Sequence, residues 1–370
     1  MSGRVDDCLV VGGGLVGASL AYGMHRHGAT VTLLDEGDIA IRASRGNFGL
    51  ILVQSKGHGL PVYADWTRQS RLLWPEFAET LLQETGVDVQ LRTTGGYWFG
   101  FSDEEVEQRK TMLQPLADAA GVPFEILSPS ELRERLPRLG PQVVGGSFCP
   151  LDAHVNPLRL LKALHTGLVT GGVNVVNGVT VDAMTWKDGV FSISAGAKVF
   201  RARRLVLGAG LGNRRLAPMV GLYAPVVPNR GQILVTERLQ PFLPCMTNKM
   251  RQTEEGSVQL GSSEEDVGFN DLTTLPVMQA IATKAVRTFP FLKDVNLVRS
   301  WAALRVMTPD GFPIYEESET CPGAFVVTCH SGVTLAAIHS MRVSAWVLGK
   351  GPHPNEAGAF ASGRFRGGEQ

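Results

Sequence analysis

The chain carries Gly12-Gly13-Gly14-Leu15-Val16-Gly17 directly after the apolar run Cys8–Val11, and this junction constrains the fold more than any other part of the 370 residues. A short buried strand that enters a glycine-rich turn and then a helix opens a βαβ unit suited to a pyrophosphate. Gly12 permits the tight turn, Gly14 lets backbone approach the phosphates, and Gly17 allows close packing of helix on strand. A helix is expected over 14–27, since Val16, Leu20 and Met24 recur every fourth residue and Gly28 is placed to end it. A second strand is expected over 30–34. Asp35, with Glu36 beside it, then stands where an acid meets ribose hydroxyls and repels a 2′-phosphate, so the dinucleotide is FAD or NAD and not NADP.

Composition excludes other classes. Apolar residues at 44% and charged residues at 19% describe a globular chain with ample core. Lys plus Arg and Asp plus Glu balance at 35 each, which removes the cationic field of a nucleic-acid binder. Cys8, Cys149, Cys245, Cys321 and Cys329 are scattered without a C-x-x-C pair; this suits a reducing cytoplasm and offers neither a zinc cage nor an iron–sulfur cluster. Asp6 and Asp7 precede the first apolar run where a signal peptide would be basic, and no later run reaches the ~18 apolar residues of a membrane span. A cytoplasmic protein is expected, reaching the inner membrane only through partners.

Further along, 62–142 reads as amphipathic helices, with Ser128 and Ser130 as N-cap candidates and Glu131 in the first turn. Apolar strands expected at 205–210 and 324–328 each run into glycine, as the first strand does. The three points mark the carboxyl edge of one parallel sheet, where ligands of doubly wound folds sit. The expectation is therefore an α/β protein with a Rossmann-like nucleotide-binding domain in pieces, 1–61, 146–215 and 322–370. An α+β substrate-binding domain, 62–145 and 216–321, is interleaved with it. A helix should continue to Leu348, and the last residues of the Gly-, Pro- and Ala-rich tail 351–370 should be loosely held.

Several segments carry a resemblance, in order and over nearly the whole chain. They are Ser44-Arg45-Gly46-Asn47-Phe48-Gly49-Leu50, Asp152-Ala153-His154-Val155-Asn156-Pro157, Gly208-Ala209-Gly210, Arg230-Gly231-Gln232, Trp301-Ala302-Ala303-Leu304-Arg305 with Thr308-Pro309-Asp310-Gly311, and His330-Ser331-Gly332-Val333-Thr334-Leu335-Ala336. Together they resemble the FAD-dependent D-amino-acid, glycine and sarcosine oxidases, which implies a glycine-oxidase-like fold. By this resemblance Ser44, Gly46, Asn47, Gly49 and Leu50 lay backbone against the flavin ring. Val179 meets adenine, Gly210 borders the cofactor, and Ser331, Gly332, Val333 and Thr334 run along the flavin pyrimidine. Arg305 matches the arginine that grips the substrate carboxylate, for which its planar fork is suited. His330 is either a direct contact or a satisfied structural histidine. Trp66, Trp74 and Trp98 read as core or lid residues, among which Trp98 is best placed to face substrate, and His58, His154 and His165 receive no role.

The resemblance implies dehydrogenation of an amino acid to its imine, with a hydride passing to flavin N5 and no dedicated base. It also has departures. Gln259 stands where sarcosine oxidases carry a lysine near the flavin, and Thr308 and Pro309 stand where a cysteine would attach it, so FAD should be noncovalent. The stretch Leu151–Ala153 lacks the histidine for a covalent FMN, which leaves a noncovalent FMN at a subunit interface. The segments Ser44–Leu50, Trp66–Trp74 and His330–Ala336 look most like the flavoprotein subunits of D-hydroxyproline dehydrogenases and opine oxidases. Both act on secondary amines bearing a carboxylate, with small iron–sulfur or flavin subunits as partners. D-Hydroxyproline is the preferred substrate; opines, glycine or sarcosine come second, and a non-catalytic flavin-carrying subunit is the reading from another class.

Overall fold

The structure, a computed structural model, describes residues 4–37, 43–354 and 358–368. β1 (Val5–Val11), α1 (Leu15–Arg26) and β2 (Val31–Asp35) form the expected βαβ unit, with Cys8 opposite Val31 in a parallel pair. Leu9, Val10, Leu33 and Leu34 are fully buried, as they must be in a parallel sheet covered on both faces. α1 starts without a side-chain cap and ends where Gly28 turns to φ +83°.

The chain then runs through α2 (Pro61–Thr85), β3 (Gly96–Gly100), α3 (Asp103–Ala120), α4 (Pro129–Arg135), β4 (Gly145–Cys149), α5 (Pro157–Thr170) and β5 (Asn174–Asn177). Ser128 is the cap of α4, closing a capping box with Glu131. β3 corrects the all-helical reading of 62–142, because it pairs antiparallel with β4.

The remaining strands are β6 (Lys198–Leu207), β7 (Val227–Arg238), β8 (Ser257–Gly261), β9 (Leu297–Met307), β10 (Ile314–Glu317) and β11 (Ala324–Thr328). An eight-stranded sheet runs in the order β10-β11-β6-β1-β2-β5, with a hairpin, Ala183–Lys187 and Val190–Ala195, attached to β6. β1, β6 and β11 are parallel neighbours, so the three strand-to-glycine points do share one edge. A four-stranded antiparallel sheet holds β8, β7 and β9, and a mixed four-stranded sheet holds β3 and β4. Two strands sit across the expected domain limits: β4 pairs with β3, and β10 pairs with β11.

The tail packs against the body over 358–364, and its last two residues, 369 and 370, lie outside the described residues. Phe360 is fully buried against Tyr63, Trp66 and Tyr315, and Arg364 Nε donates to Asp310 Oδ2 at 2.7 Å. The expected final helix is present but interrupted by a π-turn at His339–Val343. Among the described residues no helix is long and apolar enough to cross a membrane.

Candidate active site

A cavity of about 810 Å³ follows the carboxyl edge of β1, β6 and β11 and continues to residues of β7 and β9. That lies within the ~300–1,000 Å³ range of ligand pockets. Its wall includes Gly12, Gly14, Leu15, Val16, Asp35, Glu36, Ser44, Gly46, Asn47, Leu50, Val179, Gly210 and Ser331 to Thr334. Gly17 and Gly49 stand behind it: a Cβ on Gly17 would lie 1.9 Å from the Gly12 carbonyl oxygen, and one on Gly49 2.3 Å from that of Val155.

The end of the cavity beside Asp35 is held by hydrogen bonds from backbone. Asp35 accepts from Gly13 N–H at 2.6 Å and from Gly37 N–H at 2.7 Å, and Val179 N–H donates to the Asp35 carbonyl at 3.1 Å. Ser44 Oγ accepts from Leu15 N–H at 2.9 Å, docking its loop on the start of α1. No acidic residue occupies the first turn of α1, so the partial positive charge of that terminus is left for an anion. His165, given no role from sequence, donates through Nε2 to the Gly13 carbonyl at 2.7 Å and braces the turn from α5.

α2 fixes the opposite wall. Tyr63 donates its hydroxyl to Ser331 Oγ at 2.9 Å, while Ser70 Oγ and Trp74 Nε1 donate to the Thr334 carbonyl at 2.7 and 3.1 Å. Trp66 Nε1 donates to the Tyr315 hydroxyl at 3.2 Å. Trp98 does not face the cavity; it lies under the Arg109 guanidinium, 5.4 Å from its ring centre.

Arg305 reaches the cavity from β9, opposite Asn229 of β7. Its Nη1 donates to Asn229 Oδ1 at 2.8 Å and to the Arg230 carbonyl at 3.1 Å; Nη2 donates to Ser262 Oγ at 2.5 Å and to the Ser263 carbonyl at 2.7 Å. The guanidinium lies across Gly231, where a Cβ would come within 2.5 Å of Nη2. The fork read from sequence as free for a carboxylate is thus spent on protein acceptors, and Arg305 presents a fixed positive charge.

Two lysines that sequence reasoning missed join it on the wall. Lys249 Nζ donates to the Ser262 carbonyl at 3.2 Å and stands 4.0 Å from Glu264. Burial lowers the Lys56 amine to about 8. His330 also lines the cavity, and burial together with the Lys56 and Arg305 charges holds its imidazole well below 6.5, hence neutral. Gln259 is not on the wall: it accepts from Arg251 Nε at 3.0 Å, and the same Nε donates to the Phe48 carbonyl at 2.5 Å.

Beneath Lys56 lies a buried polar knot. Asp152 Oδ1 accepts from Val53 N–H at 2.7 Å and Gln54 N–H at 3.2 Å, and Oδ2 from Gln54 Nε2 at 2.7 Å. Arg109 and Ser147 both donate to Gln54 Oε1 at 2.7 Å. Asp152→Asn sets an amide N–H₂ among donors, so we expect a loss of about 2–3 kcal/mol, read as a fall of several degrees in Tm. An unchanged Tm would show that the knot does not hold the 52–56 loop.

Residues 7–346 match the model of the family described as FAD dependent oxidoreductase. The chain belongs to this family. It is 42% identical to the B subunit of opine oxidase from Agrobacterium tumefaciens (strain Ach5) over 362 residues, covering 97% of each chain. It is 30% identical to hydrogen cyanide synthase subunit HcnC of Pseudomonas aeruginosa, covering 84% of each. Among solved structures, glycine oxidase from Geobacillus kaustophilus superposes with a TM-score of 0.88 at 22% identity, over 97% of this chain and 98% of that one. The protein is an FAD-dependent oxidoreductase with the glycine-oxidase fold.

Proposed function

We propose that this oxidoreductase dehydrogenates an opine-type secondary amine carboxylate to its imine, as the flavoprotein subunit of a hetero-oligomer. The observation that carries the reading is the substrate end of the cavity, where Arg305, Lys56 and Lys249 gather beside a neutral His330, in a chain so similar to the B subunit of opine oxidase. Partner subunits of the small iron–sulfur or flavin type belong to the same reading, while an interface FMN finds no support.

FAD fits the residues present. Glycine at 12 and 14 lets the turn pack tightly along the cavity edge: a Cβ on Gly12 would meet the Gly208 carbonyl oxygen at 2.6 Å, and one on Gly14 would meet Ser44 Oγ at 2.8 Å. The start of α1 would take the pyrophosphate, Asp35 the ribose, and Ser331–Thr334 the ring. Bound FAD supplies a two-electron acceptor for the hydride of the substrate C–H bond.

The chain's own residues then do three things. The fixed charge of Arg305 draws the carboxylate and orients the amine-bearing carbon. The gathered cations favour the neutral amine, the form that loses hydride, so no general base is needed. His330, uncharged, adds no positive charge to compete for the carboxylate. Glu264 and Asp271, both exposed on the cavity wall, suit a basic side chain such as the guanidinium of octopine.

Anaerobic addition of octopine should bleach the flavin spectrum of the purified complex, and D-hydroxyproline, which bears one carboxylate, should do so less readily. Bleaching by D-hydroxyproline alone would move the reading to cyclic secondary amines. A spectrum that no amino acid reduces would replace it with a non-catalytic, flavin-carrying subunit.

A further inference from the structure

If the site takes a carboxylate-bearing secondary amine, the positive charge of Lys56 has a use but its reach into the cavity is still unexplained. The residue lines the cavity, half-buried, and among the described residues its amine makes no hydrogen bond or ion pair. The other cations of that wall are engaged: Arg305 donates to four oxygens, and Lys249 donates to Ser262. An ammonium withdrawn from water without a counter-charge is unfavourable, and an arriving anion relieves that cost.

The surroundings favour this assignment. Lys56 lies just beyond the buried residues Ile51, Val53 and Gln54, and Asp152 holds the N–H groups of Val53 and Gln54, so the base of the side chain is fixed. Asp152 is spent on those donors and cannot serve as the partner. Glu264, within electrostatic reach, is solvated, with 75% of its side chain exposed. Arg305 is close enough for its charge to be felt at Lys56, which places two cations about one volume.

We propose that Lys56 binds a second carboxylate, so that the site takes secondary amines carrying a carboxylate on each side of the nitrogen. This rests on the reading of the site given above, and it names a recognition element beyond the arginine. It explains why a wall already holding one fixed guanidinium carries an unengaged amine.

Diglycolate and methoxyacetate test it. Diglycolate replaces the amine of such a substrate with an ether oxygen, so it can be neither oxidised nor protonated at its centre. Methoxyacetate is the same molecule without one carboxylate. Both are titrated into the FAD-loaded complex and read by the perturbation of flavin absorbance.

We expect the wild type to prefer diglycolate by about tenfold or more in Kd, the scale of one charge-assisted hydrogen bond. Lys56→Met should bring that ratio close to one with FAD content unchanged, and Lys56→Arg should restore most of it. Lys56 is faced by Arg305, Glu264, Asp152 and Cys329, with His330 adjacent. Because burial places its amine at about 8, diglycolate binding by the wild type should weaken as pH rises through that value. The Lys56→Arg protein, whose guanidinium stays charged, should show no such decline.

A wild type without the preference, or a Lys56→Met protein that keeps it, overturns the assignment. That holds even if the rate of flavin reduction or the reaction with oxygen changes, since such a result would place Lys56 at the flavin instead. Binding is measured on oxidised protein, so it is independent of whether octopine bleaches the flavin.

Discussion

Gly17→Ala is expected to yield protein that retains no FAD through gel filtration. The added Cβ would stand 1.9 Å from the Gly12 carbonyl oxygen and 3.3 Å from Val10 Cγ1. Backbone is the obstacle, so no side chain can rotate to relieve the clash, and α1 must retreat from β1. Overpacking of this kind costs ~1–3 kcal/mol or more, and here the distortion falls on the glycine turn proposed to take the pyrophosphate; FAD affinity should drop at least about 100-fold. The ratio of flavin to protein absorbance reads it. Gly28→Ala is the control, since Gly28 has φ +83° but nothing within 4 Å of the added carbon. It should lose about 1 kcal/mol of stability and keep its flavin. A yellow Gly17→Ala protein would refute the packing account.

The same contrast explains what the sequence shows of the fold. Parallel strands buried on both faces must be continuous apolar runs, and Cys8–Val11 and Ala324–Thr328 announce themselves so. β3 and β4 give no such signal. Both begin at paired glycines, Gly95-Gly96 and Gly145-Gly146, which are poor strand formers but serve packing: a Cβ on Gly95 would lie 2.4 Å from the Phe148 ring. The tail shows the limit of composition: amid glycine and proline one aromatic, Phe360, enters the core and fixes the chain around it.

The site divides along similar lines. Parts made by backbone, the glycine turn and the acid after β2, are legible because few residue types tolerate that geometry. Parts made by side chains from distant segments are not. Lys56 has one retrospective signal, a lone cation closing an apolar run just after the Ser44–Leu50 loop. Lys249, in a turn between two short strands, has none. Nor could sequence show that the Arg305 fork is engaged, since this depends on the register that sets Arg305 opposite Asn229.

That register makes Arg305→Met the second large effect. The substitution removes the fixed charge from the cavity and takes a donor from Asn229 Oδ1, Ser262 Oγ and the Ser263 carbonyl, while the Arg230 carbonyl keeps its bond from Glu265 N–H at 3.0 Å. Truncating one side of a buried, hydrogen-bonded charge costs ~2–5 kcal/mol, so KM for a carboxylate substrate should rise about 100-fold or more. Diglycolate and methoxyacetate should both bind less tightly, in contrast to Lys56→Met, because this charge serves the carboxylate they share. FAD should stay bound, as the residues expected to hold it lie on other segments. Asn229→Ala separates charge from scaffold: it removes one acceptor and keeps the guanidinium, so a small change in KM there beside a large one in Arg305→Met assigns the effect to the charge. Equal losses in both would make Arg305 a brace between β7 and β9, and an unchanged KM in Arg305→Met would remove it from the substrate site.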